Sequence, residues 1–384
     1  METPEENIIK TWDDLQIDTG ILRSIYAYGF ENPSDIQKKT IPAIKAKRDL
    51  IAQAQSGTGK TGAFVTGVLS ILDPASKTTQ AIILAPTHEL VQQIYMVFTN
   101  LSMFMDGVVI RTMVGGTAVI DEIQDMKTNV PHIIIGCTGR VYDMMKRRAF
   151  SCRDIKICVL DEADEMLSEG FKEQIYNIFQ LLPSDVQIAL FSATLPPLIL
   201  QLTERFMRDP VRITMLPQEL NLDGIKQYYI AMHSDLDKID CLKDLFSRLS
   251  VSQTIIYAND VRRVKDLYQA MFMDGFSVCC IHRDMSKQER TDALTKFREG
   301  GYRTLISSNI TARGIDVQQV NTVINFDIPK SVDTYLHRIG RSGRWGRKGI
   351  AINFVTKSDI RQMKVIEQHY DVIIEEMPAD LEFQ

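Results

Sequence analysis

Along the chain, short and nearly unbroken apolar runs alternate with longer stretches in which apolar residues recur at helical spacing. The runs at 81–86, 132–137, 158–161 and 188–192 form a first series, and those at 254–258, 278–282, 304–308 and 323–326 form a second. An apolar run without polar alternation suits a strand covered on both faces. The amphipathic stretches between the runs, such as 169–182, supply the covering helices. The pattern predicts an α/β fold twice over, each copy a parallel sheet flanked by helices. Between the two series, MLPQELNLDG at 215–224 is polar, carries Pro and Gly, and has no period. That composition predicts an interdomain linker over 215–224, with domains at 1–214 and 225–384.

A chain of 384 residues exceeds what a single hydrophobic core usually serves, in agreement with two domains. No stretch approaches the roughly 18 unbroken apolar residues that a membrane span needs. The opening residues, METPEENIIK, are acidic and lack an apolar segment, so they do not read as a secretory signal or transit peptide. The expected address is the cell interior. Cys137, Cys152, Cys158, Cys241, Cys279 and Cys280 sit at irregular positions without zinc spacing and read as buried, reduced thiols. The net charge of −5 excludes nucleic-acid binding by a bulk positive field, so any such contact must be local.

Candidate chemistry begins at AQSGTGKT, 54–61, which follows the apolar residues Leu50, Ile51 and Ala52 and precedes a helical stretch. This is the strand, loop and helix context of a P-loop. Backbone amides at Ser56, Gly57, Thr58 and Gly59 would turn toward a polyphosphate, with Lys60 on its β- and γ-phosphates and the Thr61 hydroxyl on Mg²⁺. Ala54 stands where the strict pattern has Gly, and a glycine-rich turn before a helix is the other reading. The second element is VLDEAD, 159–164, an apolar strand that ends in carboxylates. Asp161 suits a Mg²⁺ site and Glu162 suits the base that orients and deprotonates an attacking water. An acidic helix start is the alternative there.

Together with Ser192-Ala193-Thr194 and the late run HRIGRSGR at 337–344, these motifs resemble those of the DEAD-box RNA helicases. The runs IYAYGF at 25–30, DEADEML at 161–167, ARGIDVQQV at 312–320 and IEEMP at 374–378 are similar to the subgroup of eukaryotic translation initiation factor four-A. The resemblance covers nearly the whole chain. It implies two tandem RecA-like domains that use ATP and Mg²⁺. Phe30 would stack on adenine and Gln37 would read its edge, while Trp12 matches an upstream aromatic that is usually Phe. Arg341 and Arg344 look like arginine fingers supplied by the second domain, and Gly314 and Asp316 like ribose contacts. Asp164, Ser192, Thr194 and His337 resemble the polar set that couples nucleotide to RNA. Without the family pattern, these last would read as helix caps and a solvated histidine, and the basic run 338–348 as a solvated loop.

The same resemblance implies an RNA track gripped through phosphates and 2′-hydroxyls, independent of base sequence. Its first-domain positions are Pro86, Thr87, His88, Gly115, Gly116, Cys137, Thr138, Gly139 and Arg140. Arg262, Arg290, Ser307 and Ser308 follow in the second. Several residues depart from the family pattern: His88 stands for Arg, Cys137-Thr138 for Thr-Pro, Arg283 for Gly, Lys287 for Gln and Asn309 for Asp. Exchanging Arg for His removes a permanent charge and a bidentate fork, whereas Arg283 and Lys287 add cations nearby. The implied activity is RNA-stimulated ATP hydrolysis with local, non-processive unwinding of short duplexes. An ATP-gated clamp on RNA, as in nuclear relatives, and a catalytically dead decoy are the competing readings. The resemblance also implies a monomer that works with single-stranded or short duplex RNA and with a scaffold protein contacting both domains.

Overall fold

The computed structural model describes residues 9–55, 57–116, 118–167, 171–196, 200–201, 203–214, 225–248, 253–311, 320–342 and 349–378. The expected linker, 215–224, lies outside them. The chain divides into two compact units, Met1–Leu220 and Asn221–Gln384. Each is built on a seven-stranded sheet in which every pairing is parallel. Among the described residues, no helix is long and apolar enough to cross a membrane.

In the first unit the strands are β1 (Leu50–Gln53), β2 (Ala81–Leu84), β3 (Ile110–Met113), β4 (Ile133–Gly136), β5 (Ile157–Asp161), β6 (Gln187–Ser192) and β7 (Val211–Thr214). They lie in the order β3-β4-β2-β5-β6-β1-β7. The helices are α1 (Thr19–Ala27), α2 (Asp35–Lys45), α3 (Lys60–Ile71), α4 (His88–Leu101), α5 (Val119–Thr128), α6 (Thr138–Lys146), α7 (Ala163–Met166) and α8 (Lys172–Phe179). Side chains alternate across each strand, and the alternation separates two cores. Ile83, Ile133, Ile135, Val159 and Phe191 pack on one face with α1 to α4. Ile82, Ile134, Leu160 and Leu190 pack on the other with α6 and α8. Burial on both faces is why these strands carry no polar alternation in sequence.

The second unit repeats the plan with β8 (Ile225–Ala231), β9 (Thr254–Tyr257), β10 (Val278–Ile281), β11 (Thr304–Ser307), β12 (Thr322–Asn325), β13 (Gly349–Val355) and β14 (Glu375–Glu376). Their order is β10-β11-β9-β12-β13-β8-β14. Its helices are α9 (Asp237–Arg248), α10 (Val261–Met273), α11 (Lys287–Arg298), α12 (Val332–Ile339) and α13 (Ile360–Tyr370). A buried polar ladder crosses this sheet. The Tyr335 hydroxyl donates to Gln227 at 2.8 Å, Asn353 Nδ2 donates to that hydroxyl at 3.2 Å, and Asn325 Nδ2 donates to Asn353 Oδ1 at 2.8 Å. Each rung is satisfied, as buried amides require.

The apolar runs locate β2, β4, β5, β6 and β9 to β12 within a residue or two. The expected helix 169–182 is α8, with 168–170 outside the described residues. The runs did not signal β3, β7, β8, β13 and β14. Of these β3, β7 and β14 lie at sheet edges and are partly exposed, and β13 is interrupted by Asn353, a rung of the ladder. None of the six cysteines is in a disulfide, but only Cys158 and Cys279 are buried and the other four are half-buried.

Helices α2 and α3 meet at a glycine. A Cβ at Gly67 would lie 2.6 Å from Ile44 Cδ1 and 3.1 Å from two further atoms of that side chain. The close approach holds α2, and with it Gln37, against the start of α3. Gly67→Ala is expected to destabilise the first unit by about 1–3 kcal/mol through overpacking, despite alanine's better helix propensity. Urea denaturation checks it; a variant as stable as the parent would show that Ile44 moves aside freely.

Candidate functional site

The P-loop joins the carboxyl end of β1 to the N-terminus of α3. Gly57 and Gly59 take left-handed conformations, at φ 89° and 99°, that non-glycine residues adopt only with strain. Thr58 Oγ1 donates to Gln55 O at 2.8 Å across the turn. Lys60 is 6% exposed and its ammonium donates to Ala54 O at 2.6 Å, so the lysine lies along its own loop. Ser56 lies outside the described residues. The left-handed glycines and the uncapped start of a twelve-residue helix present backbone amides that fit a polyphosphate.

Two residues named on sequence grounds reach this loop from α2 and the segment before it. Gln37 is buried and makes a capping box, its Oε1 accepting from Ser34 N at 2.7 Å, while its Nε2 donates to Gly59 O at 3.2 Å. Gly62 sits under Phe30, since a Cβ there would fall 3.2 Å from the ring. Phe30 is stacked on the fully buried Trp12, with ring centroids 6.0 Å apart and planes inclined by 13°.

Neighbouring strands β5 and β6 carry the acidic and hydroxyl groups to the same edge. Asp161 ends β5, and Glu162 follows in a left-handed conformation at φ 53°, a backbone strain of roughly 1–2 kcal/mol. Both carboxylates are buried. Burial first, then the Glu162 charge, holds Asp161 above the usual carboxylate range, while the Lys60 ammonium opposes the shift. A desolvated acidic pair of this kind fits a divalent cation. Asp164 accepts a 2.8 Å bond from Thr194 Oγ1, and its N–H donates to Ser192 Oγ at 3.2 Å. Ala54 N donates to Ser192 O at 3.0 Å, which ties the P-loop to β6.

The other half of the same sheet edge gathers the residues named for a nucleic-acid track. Pro86 and the N-cap Thr87 precede α4, which begins at His88. Gly115 lies beside His88, a Cβ there falling 3.7 Å from Nε2, and Gly116 is left-handed at φ 91°. Cys137 caps α6, where Thr138 Oγ1 donates to Gln174 at 2.7 Å; Gly139 and Arg140 follow in its first turn. Sequence reasoning missed that Arg140 is held by Glu122 of α5, Nη1 to Oε2 at 2.8 Å in a half-buried pair. The charge pattern of α5 alone offers no signal for that pairing.

In the second unit the strand ends β10, β11 and β9 lie side by side and carry Arg283, Ser308 and Arg262 in their following segments. Arg262 and Arg283 are largely exposed, Lys287 opens α11, and Arg290 lies one turn on. His337 and Arg341 follow β12 on and just after α12, both buried. Gly314, Asp316 and Arg344 lie outside the described residues. Arg338 is fully buried, which removes the alternative of a solvated loop at that position; 343–348 lie outside the described residues.

Residues 34–202 match the family model described as DEAD/DEAH box helicase, and 237–346 match the helicase conserved C-terminal domain. The chain is 48% identical over 381 residues to the ATP-dependent RNA helicase eIF4A of Debaryomyces hansenii, covering 99% of this chain and 96% of that one. It is 47% identical over 376 residues to eukaryotic initiation factor 4A of Caenorhabditis elegans, covering 98% and 93%. Among solved structures it is similar to Saccharomyces cerevisiae Dbp5 bound to RNA and ADP BeF3, with a TM-score of 0.91, 35% identity and coverage of 97% and 96%.

Gln37→Glu keeps the capping acceptor but sets a carboxylate against the Gly59 carbonyl. Nucleotide affinity is expected to fall roughly tenfold or more with helix content unchanged. Titration with a fluorescent ATP analogue checks it, and equal affinity would remove the amide from the site.

Proposed function

The chain belongs to the DEAD-box family of ATP-dependent RNA helicases, and within that premise we propose how its residues divide the work of an eIF4A-like enzyme. ATP occupies the P-loop, with Ser56, Gly57, Thr58 and Gly59 on the phosphates, Lys60 neutralising the terminal ones, Phe30 against the adenine and Gln37 on its edge. Thr61 and Asp161 would hold Mg²⁺, which when bound supplies charge neutralisation at the phosphates. Glu162 orients and deprotonates the attacking water. Arg341 and Arg344 stabilise the charge that develops in the transition state, and Gly314 and Asp316 hold the ribose.

Single-stranded or short duplex RNA is gripped through its backbone by Pro86, Thr87, His88, Gly116, Gly139 and Arg140 of one domain and Arg262, Arg290 and Ser308 of the other. Helix N-termini and glycine amides supply much of this grip, which reconciles it with a net charge of −5. Asp164, Ser192, Thr194 and His337 pass strand occupancy to the nucleotide. Residues 215–224 link the domains, 1–214 and 225–384. The protein acts as a monomer in the cytoplasm, with a scaffold protein of the initiation-factor type as partner.

One observation carries this reading. In the first unit the P-loop, the acidic pair and the Asp164–Thr194 bond occupy the ends of the adjacent strands β5, β6 and β1, while the strand-binding positions occupy the ends of β3, β4 and β2 on the same sheet edge. ATP hydrolysis with and without single-stranded RNA, with DNA as control, tests it. Strong stimulation by RNA alone is expected, and equal rates in all three conditions would overturn the coupling. Glu162→Gln is expected to retain ATP and RNA binding while turnover falls at least about 100-fold. Single-turnover kinetics beside filter binding check this; normal turnover would show that Glu162 is not the base.

A further inference from the structure

Arg338 is a fully buried guanidinium whose five N–H donors are all taken by neutral oxygens. Nε and Nη2 both donate to Asn309 Oδ1, at 3.0 and 2.6 Å. Nη2 also reaches Asn259 Oδ1 at 2.8 Å, and Nη1 reaches Asn325 Oδ1 at 3.2 Å and the Asp327 main-chain carbonyl at 2.8 Å. The guanidinium lies over the Tyr257 ring at 5.2 Å. The nearby Asp327 carboxylate is engaged elsewhere: Arg263 grips it through Nε and Nη2 at 2.8 and 2.6 Å, and Lys238 lies 3.3 Å away. Burial accordingly pulls Arg338 down to about 10.

The partners of Arg338 come from three places. Asn259 precedes the helix that carries Arg262, Asn309 directly follows Ser308, and Asn325 and Asp327 lie at the end of β12. Arg338 itself sits on α12 between His337 and Arg341. One side chain therefore joins two segments assigned to RNA with the helix that carries His337 and leads into Arg341. Asn309 differs from its fellow ligands in being exposed, and it accepts two of the five bonds. It is also a position where this chain has an amide in place of the family's carboxylate. The guanidinium already makes these bonds charge-assisted, but a carboxylate would add a full negative charge at the acceptor, so an amide is the weaker tether.

We infer that Asn309 is a positioning residue that acts through Arg338: its neutral oxygen holds the Ser308 segment loosely to α12 and thereby sets how much RNA is needed to stimulate hydrolysis. The inference rests on the proposed assignment of Ser308 to RNA, of His337 to coupling and of Arg341 to ATP. Because Asn309 is exposed, a carboxylate there would meet the guanidinium without itself being buried.

The test compares wild type, Asn309→Asp and Asn309→Ala in the full chain, by thermal melting and by RNA-stimulated ATPase. Asn309→Asp is expected to raise the melting temperature by about 2–6 °C and to lower the half-saturating RNA concentration roughly three- to tenfold, with kcat and the KM for ATP unchanged. Asn309→Ala is expected to shift both in the opposite direction. Melting shifts without a change in RNA dependence would reduce Asn309 to a structural residue and overturn the inference, as would two variants indistinguishable from wild type in both readouts. A wild-type enzyme that RNA does not stimulate would instead overturn the functional reading on which the role stands.

Discussion

Parallel pairing is the constraint on which the arrangement of this molecule depends. Two adjacent parallel strands cannot be joined by a tight turn, so the chain must cross over the sheet, usually as a helix, before starting the next strand. Each strand therefore delivers a loop and a helix N-terminus to the same edge of its sheet. In both units every strand pairing among the described residues is parallel, and the P-loop, Asp161, Glu162 and Ser192 stand at or directly after strand ends. Strand order then sorts them. The first sheet sends the P-loop and the acidic pair to one half of the edge and the loops proposed for RNA to the other, and on the same proposal the second sets β10, β11 and β9 apart from β12 and its helix.

This arrangement explains what was legible in the sequence. Buried strands such as Ile133–Gly136 are apolar on both faces and announce themselves. The residues after them have local signatures because their work is local: the glycines of the P-loop need left-handed backbone, and Asp161 and Glu162 end a strand. Edge strands such as Ile110–Met113 were not legible, since one exposed side removes the signal. Nor were pairings between distant segments. Glu122 on Arg140 and Gln174 on Thr138 join residues far apart in sequence, and no periodicity encodes them. The burial of Arg338 was not legible either, because a guanidinium within a basic run gives no local sign of neutral partners drawn from distant segments.

Charge is used sparingly. The acidic total would repel a polyanion at long range, yet Thr87 and Cys137 begin helices, and Gly116 adds another left-handed turn. On the proposed reading, helix-start amides would take backbone phosphate without altering the net charge. The fixed cations are placed with similar economy. Arg140 of the first unit is held by Glu122 in a half-buried pair, whereas Arg262 and Arg283 of the second unit are largely exposed beside Asp266 and Asp284.

The ladder of Gln227, Tyr335, Asn353 and Asn325 that ends on Arg338 contains no group that gains or loses a proton near neutrality. Burial pushes the Tyr335 hydroxyl far above its ordinary value, and even the lowered guanidinium stays protonated there. Acidification and added salt act on exposed ion pairs and titrating side chains, and they find little purchase along this path. The link from β8 through β13 and β12 to Arg338 is thus made by amide and hydroxyl geometry and persists through changes of medium that would loosen an exposed ion pair.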